Sequence, residues 1–416
     1  MHIGIVSNEY PPLPHGGIGS VYQDLAELLV QAGHRVTVIG VYSRAQLGAE
    51  VKAGLRKETL SGVRVLRLVQ SHPHMRYHLG ALNDRLRITR LLRQCHREDA
   101  FDLIETADYG GLLTFGGVPN VPTVVRIHGS NVFFDKLLDR PGNAFEHHLE
   151  RRNLRRASHL CAVSHFAARE TLSLCGIPAH PCQVIPNAVD VDLFTPDTEP
   201  TLATVPGRIL FVNAIIPKKG IEELICALPY IVSRVPDAHL VIVGRESIRH
   251  GLGEESYTSQ LLAKVLPSLR GRVTFTGPLD RRVGVLQELR EAAVCCYPSH
   301  METFGIAPVE AMALGKPTVF SEAGPGPEII EHGVDGLLCN PLDPRDIADK
   351  ICYFLTDPAR AKATGIRARE KVIREFCQNH WLQTNLTFFE KCIASFRPKP
   401  LKISAMANMM AFFHSL

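Results

Sequence analysis

The sequence predicts an α/β protein with two doubly wound parallel sheets, one in each half of the 416-residue chain. Short Val- and Ile-rich runs without polar alternation are typical of parallel strands that are covered on both faces. Amphipathic segments separate these runs, which is the rhythm of repeated βαβ units. The rhythm stops at a polar, Pro-rich stretch at 187–208 and then restarts, so this stretch is predicted to be a linker between two domains.

The first half alternates strands and helices up to residue 186. Its predicted strands are His2–Ser7, Arg35–Val41, Val63–Val69, Leu103–Thr106, Thr123–His128, His159–Ser164 and Gln183–Pro186. Its predicted helices include Ser20–Ala32, Leu82–Arg97 and Asn143–Ala157. We expect these elements to form an N-terminal Rossmann-like domain over residues 1–190.

The second half repeats the pattern over 207–378, which is expected to form a second Rossmann-like domain. Its predicted strands are Ile209–Asn213, His239–Val243, Val273–Thr276, Ala293–Pro298 and Pro317–Phe320. Its predicted helices are Gly220–Val235, Ser256–Leu269, Val283–Glu291, Pro308–Ala313 and Pro358–Phe376. An amphipathic helix follows at 379–396, then a Met- and Phe-containing tail at 397–416. The tail is either a frayed terminus or a short packing or membrane-touching segment.

Composition narrows the function classes. Lys and Arg total 46 against 42 Asp and Glu, and a net charge of +4 is too small for a protein that mainly binds nucleic acid. The eleven cysteines are odd in number and include no Cys-x-x-Cys pair, which argues against disulfides or a zinc site. Adjacent Cys295 and Cys296 are expected in the core. The first residues form a strand rather than a signal peptide, and no apolar run reaches membrane-span length, so a cytoplasmic location is predicted.

Ligands of open parallel sheets bind outside the carboxyl ends of the strands, so the loops after strands are the places to search. The first such loop contains Glu9, Tyr10 and the pair Gly16-Gly17. It lacks the dinucleotide fingerprint, because Tyr22 stands at the third-glycine position and no acid ends the second strand. The glycine pair would let the backbone approach a ligand before a helix, or would form a plain flexible loop.

The strongest feature is the stretch at 302–310 after the predicted strand 293–298. It puts Glu302 in a loop and Glu310 in the first turn of the next helix. The amides of Phe304, Gly305 and Ile306 are expected to hold an anion. Two carboxylates beside an anion site fit two sets of hydroxyls, one on a sugar and one on a ribose. Alternatively, Glu310 only complements the helix dipole and Glu302 is solvated.

Two further residues end strands on the expected ligand side. Lys219 precedes Gly220 between the first strand and helix of the second half, where a lysine can reach a diphosphate. His128 precedes Gly129 after a first-half strand, where it can donate a hydrogen bond to a ligand. The ordinary alternatives are a solvated lysine and a structural histidine.

Together, these motifs resemble the family-four retaining glycosyltransferases, which have the GT-B fold of two Rossmann-like domains facing across a cleft. The matching positions are Glu302 and Glu310 of the glutamate-x7-glutamate motif, Gly16 and Gly17, Lys219-Gly220, His128, Ser164, 186–190 and 324–338. Their order and spacing cover roughly residues 1–395. The resemblance implies that the last helix crosses back to the first domain, which suits the segment with the single tryptophan, Trp381.

The resemblance also implies roles for these residues. Glu310 would bind the ribose hydroxyls of a UDP-, GDP- or ADP-sugar, and Glu302 would hold the hydroxyls of the donor sugar. Lys219 would neutralise the departing diphosphate, and His128 would contact the donor sugar. With Lys219, Glu302 and His128 as catalytic residues, the sugar would be transferred with retention and without a metal or another cofactor.

Further contacts follow from the same resemblance. The implied donor-binding residues also include Phe304, Gly305, Ile306, Leu279, Gly16 and Gly17, and the implied acceptor-binding residues are Glu9, Tyr10 and Ser130. One position departs from the family pattern, because Ala214 stands where the family has a second diphosphate-binding arginine. Arg245 is the candidate replacement. The Asp190-Val191-Asp192 triplet imitates a metal motif but is assigned to the linker.

A basic segment raises the question of membrane contact. Six arginines and one aspartate lie within 76–97, a local net charge of 6 − 1 = +5, and four more arginines lie within 151–156. A basic amphipathic helix can bind anionic lipid or simply face solvent. The segment at 76–97 is therefore a candidate peripheral contact with the inner face of the cell membrane.

The sequence supports one leading function and two alternatives. The leading hypothesis is transfer of a hexose from a nucleotide-diphosphate sugar to a glycan or lipid-linked acceptor, in cell-envelope or exopolysaccharide synthesis. A sugar-nucleotide isomerase or a phosphorylase of the same fold is the first alternative. A degenerate, non-catalytic nucleotide-binding scaffold is the second, and Ala214 is its motivation.

Overall fold

The computed structural model describes residues 1–13, 16–47, 54–70, 77–177, 180–196, 204–246 and 256–398. Arg76, part of the predicted linker and the tail from residue 399 lie outside the described residues. The chain divides into two compact units, the first comprising 1–163, 168–185 and the segment from 382, the second 164–167 and 186–381. Each unit contains one sheet.

The first unit contains an eight-stranded sheet within the described residues. Its strands are β1 (His2–Val6), β2 (Arg35–Tyr42), β3 (Leu55–Leu60), β4 (Val63–Val69), β5 (Leu103–Ala107), β6 (Thr123–Ile127), β7 (His159–Ala162) and β8 (Cys182–Val184). Its helices are α1 (Gly17–Gln31), α2 (Arg44–Leu47), α3 (Tyr77–Glu98), α4 (Asn131–Leu137), α5 (Ala144–Arg156) and, from residue 168, α6 (His165–Leu174).

The strand order is β3-β4-β2-β1-β5-β6-β7-β8, and every pair is parallel except β3–β4. The sequence analysis missed β3, because its residues are polar and largely exposed. A two-residue turn at Ser61 and Gly62 joins it to β4, and both residues have positive φ, as a tight hairpin turn requires. Charged side chains on this edge strand discourage pairing with other chains.

The second unit contains a six-stranded sheet, parallel throughout in the described residues, in the order β11-β10-β9-β12-β13-β14. Its strands are β9 (Arg208–Val212), β10 (His239–Val243), β11 (Val273–Gly277), β12 (Val294–Tyr297), β13 (Thr318–Ser321) and β14 (Leu337–Cys339). Its helices are α7 (Ile221–Val232), α8 (Tyr257–Lys264), α9 (Leu286–Glu291), α10 (Ile306–Ala313), α11 (Gly326–Ile329), α12 (Pro344–Leu355), α13 (Pro358–Glu375) and the start of α14 (Gln378–Ser395).

These sheets confirm the predicted fold class. Cys295 and Cys296 are fully buried, as expected of core residues. The predicted helix at 256–269 is shorter, since α8 ends at Lys264 and a 3₁₀ segment follows at Pro267–Arg272. The sequence analysis also missed α12, although Asp343 and Pro344 give it a good N-cap and first residue.

Both sheets have a topological switch point. In the first sheet β2 and β5 flank β1, and in the second β10 and β12 flank β9. Successive connections leave in opposite directions at these points, which opens a crevice at the carboxyl ends of the strands. The loops after β1 and β5, and those after β9 and β12, are therefore the places where ligands are expected.

A fully buried ion pair joins neighbouring strands of the first sheet. Arg126 on β6 donates from Nε to Glu105 Oε1 at 2.7 Å and from Nη2 to Glu105 Oε2 at 3.2 Å, with Glu105 on β5. The same Nη2 donates to Asn385 Oδ1 on α14 at 2.6 Å. From Leu382 onward α14 belongs to the first unit, so the predicted return of the last helix is confirmed.

We expect Glu105→Gln to lower the free energy of unfolding by about 3–5 kcal/mol, because it leaves the Arg126 charge buried without a counter-charge. Urea unfolding would measure the change. Glu98→Gln is the matched control, since it breaks an exposed pair with Arg64 and should cost less than about 1 kcal/mol. Equal losses in the two variants would contradict the role of the buried pair.

Candidate functional site

Lys219 and Glu302, both predicted from the sequence, lie together at the switch point of the second sheet. After β9 the chain makes a short turn to Gly220, whose φ is 71°. A Cβ atom there would lie 1.8 Å from the carbonyl oxygen of Pro298, at the end of β12, so only glycine fits. This approach puts Lys219 Nζ in an ion pair with Glu302 Oε1, to which Ser299 Oγ also donates at 3.1 Å.

The loop between β12 and α10 presents the predicted anion cradle. Phe304 is buried and packs edge-on against Phe376, with ring centroids 5.8 Å apart. Gly305 has a φ of 105°, and a Cβ atom on it would lie 2.8 Å from the ring of Phe320. In the described part of the chain, the amides of Phe304, Gly305 and Ile306 donate no hydrogen bond. Three such amides at a helix N-terminus suit an anion.

A short segment at 164–167, which belongs to the second unit, supports this loop. Ser164 Oγ donates to the carbonyl oxygen of Thr303 at 2.7 Å. The carboxylate of Glu328 accepts the amides of His165 and Phe166, each at 2.7 Å. These bonds connect the cradle loop and α11 to the same segment, which positions both.

Glu310 differs from its predicted position. Because α10 begins at Ile306, Glu310 is the fifth helical residue and lies beyond the first turn, so complementing the helix dipole does not explain it. Its side chain is 8% exposed and accepts from Arg281, by Nε at 2.7 Å and by Nη2. Burial raises the pKa of Glu310, and Arg281 partly opposes that rise.

Arg281 is a residue that the sequence analysis missed. It lies after β11, and its guanidinium stands over the ring of Phe194 at 5.4 Å from the centroid. Its position in the loop after a predicted strand, within the run Asp280-Arg281-Arg282, could have indicated a ligand-side cation from the sequence. Leu279, the predicted nucleobase neighbour, is exposed in the same loop.

Arg245 and Ala214 lie on loops that pair side by side. Ile215 N donates to the Arg245 carbonyl oxygen at 2.9 Å, which extends the β9–β10 pairing beyond the strands. Both Arg245 and Ala214 are exposed. In the described residues the Arg245 guanidinium has no hydrogen-bonding or charged partner. A cation on the loop after β10 therefore stands next to the position where the family's arginine is absent.

In the first unit, Arg67 of β4 holds the loop after β1. Its guanidinium donates to the carbonyl oxygens of Tyr10 at 2.8 Å and Pro11 at 2.6 Å. Glu9 Oε2 accepts the amide of Gly16 at 3.1 Å, so two predicted residues are in contact. Tyr10 is buried, whereas Gly17 begins α1 and is exposed. Arg67, missed by the sequence analysis, is a buried charge in a mainly apolar strand.

Two buried carboxylates position the loops after β5 and β6. Asp108 accepts the amides of His128 at 2.9 Å and Gly129 at 3.3 Å. Glu150 Oε1 accepts the amides of Gly110 at 2.9 Å and Asn131 at 3.0 Å, and its Oε2 accepts the amide of Val132 at 3.0 Å. Burial raises the pKa of Asp108 to about 7. The sequence analysis missed both residues, because their partners are distant in the chain.

His128 is buried at the end of β6. Its ring packs edge-on against Tyr22 at 5.7 Å, and in the described residues its Nε2 has no hydrogen-bond partner. Burial and the nearby Arg126 lower its pKa to about 3, so the imidazole is neutral at physiological pH. Ser130, a predicted acceptor contact, is fully buried, and its Oγ accepts from Phe133 N as the cap of α4.

The basic segment on α3 is less exposed than its sequence suggests. Arg85 is buried and donates to the carbonyl oxygens of Gly111 at 3.2 Å and Ala81 at 2.9 Å. Arg87 donates to Val69 O and pairs with Asp84. The arginines left exposed on α3 are Arg90, Arg93 and Arg97. No helix among the described residues is both long enough and apolar enough to span a membrane.

The Asp190-Val191-Asp192 triplet forms a turn. Asp190 Oδ1 accepts the amides of Asp192 at 3.1 Å and Leu193 at 2.9 Å. In the described part of the chain, no group of three or more His, Cys, Asp or Glu side chains is arranged to hold a metal ion.

Two doubly wound sheets, with an acid–lysine pair and an amide cradle at a switch point, define a GT-B glycosyltransferase. Two family profiles match the chain, Glycosyltransferase Family 4 over residues 15–193 and Glycosyl transferases group 1 over residues 199–371. A phosphatidyl-myo-inositol mannosyltransferase of Mycolicibacterium smegmatis is 30% identical over 385 residues, 90% of each chain. The chain therefore belongs to the family-four glycosyltransferases.

Two further similarities agree with this assignment. A glycogen synthase of Mycobacterium tuberculosis is 28% identical over 396 residues, which is 90% of this chain and 91% of that protein. The crystal structure of HepE from Anabaena in complex with UDP and glucose is 20% identical and superposes with a TM-score of 0.71. The match covers 94% of this chain and all of HepE, which confirms the GT-B fold.

We expect Arg281→Ala to change how stability depends on pH. The pKa of Glu310 is already raised in the folded state, so its stabilising effect is greatest at low pH and is lost as pH rises through that pKa. Removing Arg281 raises the pKa further and extends this loss to higher pH. The free energy of unfolding should fall more steeply above pH 4.5, the ordinary pKa of the carboxyl group, by at most about 1.4 kcal/mol per pH unit.

Urea unfolding at several pH values would measure the slope. The double variant Arg281→Ala/Glu310→Gln is the control, because it has no carboxyl group to titrate and should lack the additional slope. A slope in Arg281→Ala equal to that of the wild type would show that the guanidinium does not govern the charge of Glu310.

Proposed function

We propose that this glycosyltransferase moves a hexose from a nucleotide-diphosphate sugar to a glycan or lipid-linked acceptor, with retention of anomeric configuration. The observation that carries the proposal is a cluster at the switch point of the second sheet. It consists of Lys219, Glu302 and the three cradle amides, which donate no hydrogen bond within the described residues. It offers a cation, a carboxylate and an anion cradle. A diphosphate attached to a sugar needs all three. Cell-envelope or exopolysaccharide synthesis is the proposed setting.

The donor would be bound mainly by residues of the second unit. Glu310 is a buried acceptor that can take hydrogen bonds from two ribose hydroxyls, and Arg281 favours its charged form against the effect of burial. Leu279 on the neighbouring loop would lie beside the nucleobase. The HepE structure was solved with UDP and glucose, which supports a nucleotide-sugar donor for this chain.

The bond to the diphosphate would break as negative charge develops on the leaving oxygen. Lys219 would neutralise that charge, and the amides of Phe304 and Gly305 would stabilise it as fixed dipoles. Glu302 holds the lysine in place and has a second carboxylate oxygen for hydroxyls of the sugar. Charge stabilisation on the diphosphate is thus assigned to side chains and amides of the protein.

Retention would follow from attack on the face that the diphosphate leaves. The acceptor oxygen would form a bond to the anomeric carbon while the bond from that carbon to the diphosphate oxygen breaks. The proton of the acceptor hydroxyl would pass to the departing diphosphate oxygen. His128 would take part only as a neutral hydrogen-bonding group to the sugar, because its pKa of about 3 excludes it as an acid at neutral pH.

Assays with UDP-, GDP- and ADP-hexoses and mixed acceptors would test the function by measuring release of the nucleoside diphosphate. The configuration of the product, determined by NMR, would test retention. Turnover of the donor without an acceptor would instead indicate an isomerase, and a requirement for free phosphate would indicate a phosphorylase. Tight nucleotide binding without turnover in any mixture would favour the non-catalytic scaffold.

We expect Glu310→Ala to abolish transfer and to weaken binding of the preferred nucleoside diphosphate at least about tenfold, because charged hydrogen bonds to the ribose are lost. A thermal-shift titration would measure binding, since a ligand at a hundredfold excess over its Kd adds about 2.7 kcal/mol of stability. Glu375→Ala, at an exposed glutamate of α13, is the control. Full activity in Glu310→Ala would overturn the assigned site.

We expect Arg245 to serve as the second cation for the diphosphate. Arg245→Ala should lower kcat/KM at least about tenfold, because a charge-assisted bond to the leaving group is lost. Adding Ala214→Arg to that variant should restore much of the loss by returning an arginine to the adjacent loop. Unchanged kcat/KM in Arg245→Ala would show that Lys219 suffices as the cation.

A further inference from the structure

A second group of cationic residues lies in the first unit, away from the loops after β1, β5 and β6. It lines a cavity of about 500 Å³ between the second half of α5 and the end of α6. Four arginines and one histidine contribute to the wall: His148, Arg151, Arg152, Arg155 and Arg156. This volume is in the range of cavities that bind small molecules. In the part of the chain described, no Asp or Glu lines it.

These arginines are held by backbone carbonyl groups. Arg151 Nη2 approaches the carbonyl oxygen of Leu174 at 3.5 Å, and Arg155 Nη2 donates to that of Cys175 at 3.2 Å. Arg152 Nε donates to Thr114 O at 3.1 Å. Within the described ranges, Arg151, Arg155 and Arg156 form no ion pair with a carboxylate. Arg151 and Arg155 are thus bonded to the end of α6, while neither has a carboxylate partner in the described residues.

The electrostatic consequences are visible in the groups around the cavity. The pKa of His148 is lowered, by burial first and then by Arg152, Arg155 and Arg151. The pKa of Arg156 is lowered by burial and by Arg152 and Arg93. Like charges three or four residues apart on a helix are mutually destabilising. The arrangement therefore has a cost in the free protein that a bound anion would remove.

The dipoles of α5 and α6 compensate only part of the positive charge of these arginines. The carboxyl ends of α5 and α6 each carry the equivalent of about half a negative charge, against four arginine charges. A neighbouring cavity of about 450 Å³ shares Arg156 and adds Arg93, His180 and Arg397 to the cationic wall. The second cavity lies where β6 and β7 begin, at the end of the sheet opposite to the His128 loop.

We propose that this α5–α6 cavity binds a phosphoryl group, either of a soluble phosphorylated metabolite or of an anionic lipid headgroup. Guanidinium groups bind phosphate oxygens by paired hydrogen bonds, and rigidly held arginines lose little entropy in doing so. Arg151 and Arg155 lie one helical turn apart on α5 and are both anchored to the end of α6. They can bind two oxygens of the same phosphoryl group.

The test uses the full chain and inorganic pyrophosphate, with isothermal titration calorimetry as the readout. We expect Arg151→Gln/Arg155→Gln to weaken pyrophosphate binding at least about tenfold. Arg90→Gln/Arg97→Gln is the matched control, because it removes the same charge from exposed positions of α3 and should bind like the wild type. Lys219→Ala separates the candidate donor site, and the binding event at α5–α6 should persist in it.

Vesicles of phosphatidylglycerol in phosphatidylcholine distinguish the two sources. Sedimentation with vesicles that is lost in Arg151→Gln/Arg155→Gln and displaced by pyrophosphate would identify a lipid headgroup. Lost pyrophosphate binding with unchanged sedimentation would identify a soluble ligand. If the double variant fails to fold, Arg156→Gln replaces it, with an expected loss of at least about threefold.

The proposal is overturned if the arginine variants bind pyrophosphate and vesicles as the wild type does, or if the wild type binds neither. It is also overturned if Lys219→Ala alone abolishes pyrophosphate binding and vesicle binding does not depend on the α5 arginines. These experiments measure binding and not sugar transfer. A negative result therefore leaves the proposed transferase function untouched, and absence of transfer activity would leave this binding proposal untouched.

Discussion

The ion pair between Lys219 and Glu302 is the interaction on which the candidate donor site depends. It joins the loops after β9 and β12, which are adjacent strands at the switch point of the second sheet. Two facts make it possible: parallel strands end at the same edge of a sheet, and Gly220 lets one loop approach the Pro298 carbonyl oxygen. Ser299 Oγ then donates to a carboxylate whose position is already determined by the lysine.

The buried carboxylates of the two units have different partners. In the first unit Asp108 and Glu150 accept backbone amides, so they act as structural supports for the loops after β5 and β6. In the second unit Glu302 and Glu310 pair with the cationic side chains of Lys219 and Arg281. A nearby cation favours the charged form of a carboxylate, which can then accept hydroxyl groups of a ligand. Glu105 of the first unit also pairs with a cation, Arg126, but that pair is fully buried between two strands and is structural.

Arginine has three distinct uses in this chain. Arg67 and Arg126 are buried and connect strands to a loop and to α14. Arg281 compensates a carboxylate, whereas the arginines of α5 line a cavity whose described wall contains no Asp or Glu. The net charge of +4 hides these differences, because a formal count weights buried and exposed groups equally.

The family resemblance implied the return of the last helix, and the sequence alone determined the two doubly wound sheets and the loops that carry Lys219, Glu302 and Glu310. These are encoded by local periodicity and by motifs of neighbouring residues, which a single chain displays directly. Only the tertiary structure decided which groups meet: Arg281 with Glu310, Asp108 with the His128 loop, and Arg67 with the loop after β1. It also showed that β3 pairs antiparallel with β4 and that the buried Arg85 side chain donates to backbone carbonyl oxygens. These side-chain contacts join residues 20 to 57 positions apart, and their energies depend on burial, which no local pattern specifies.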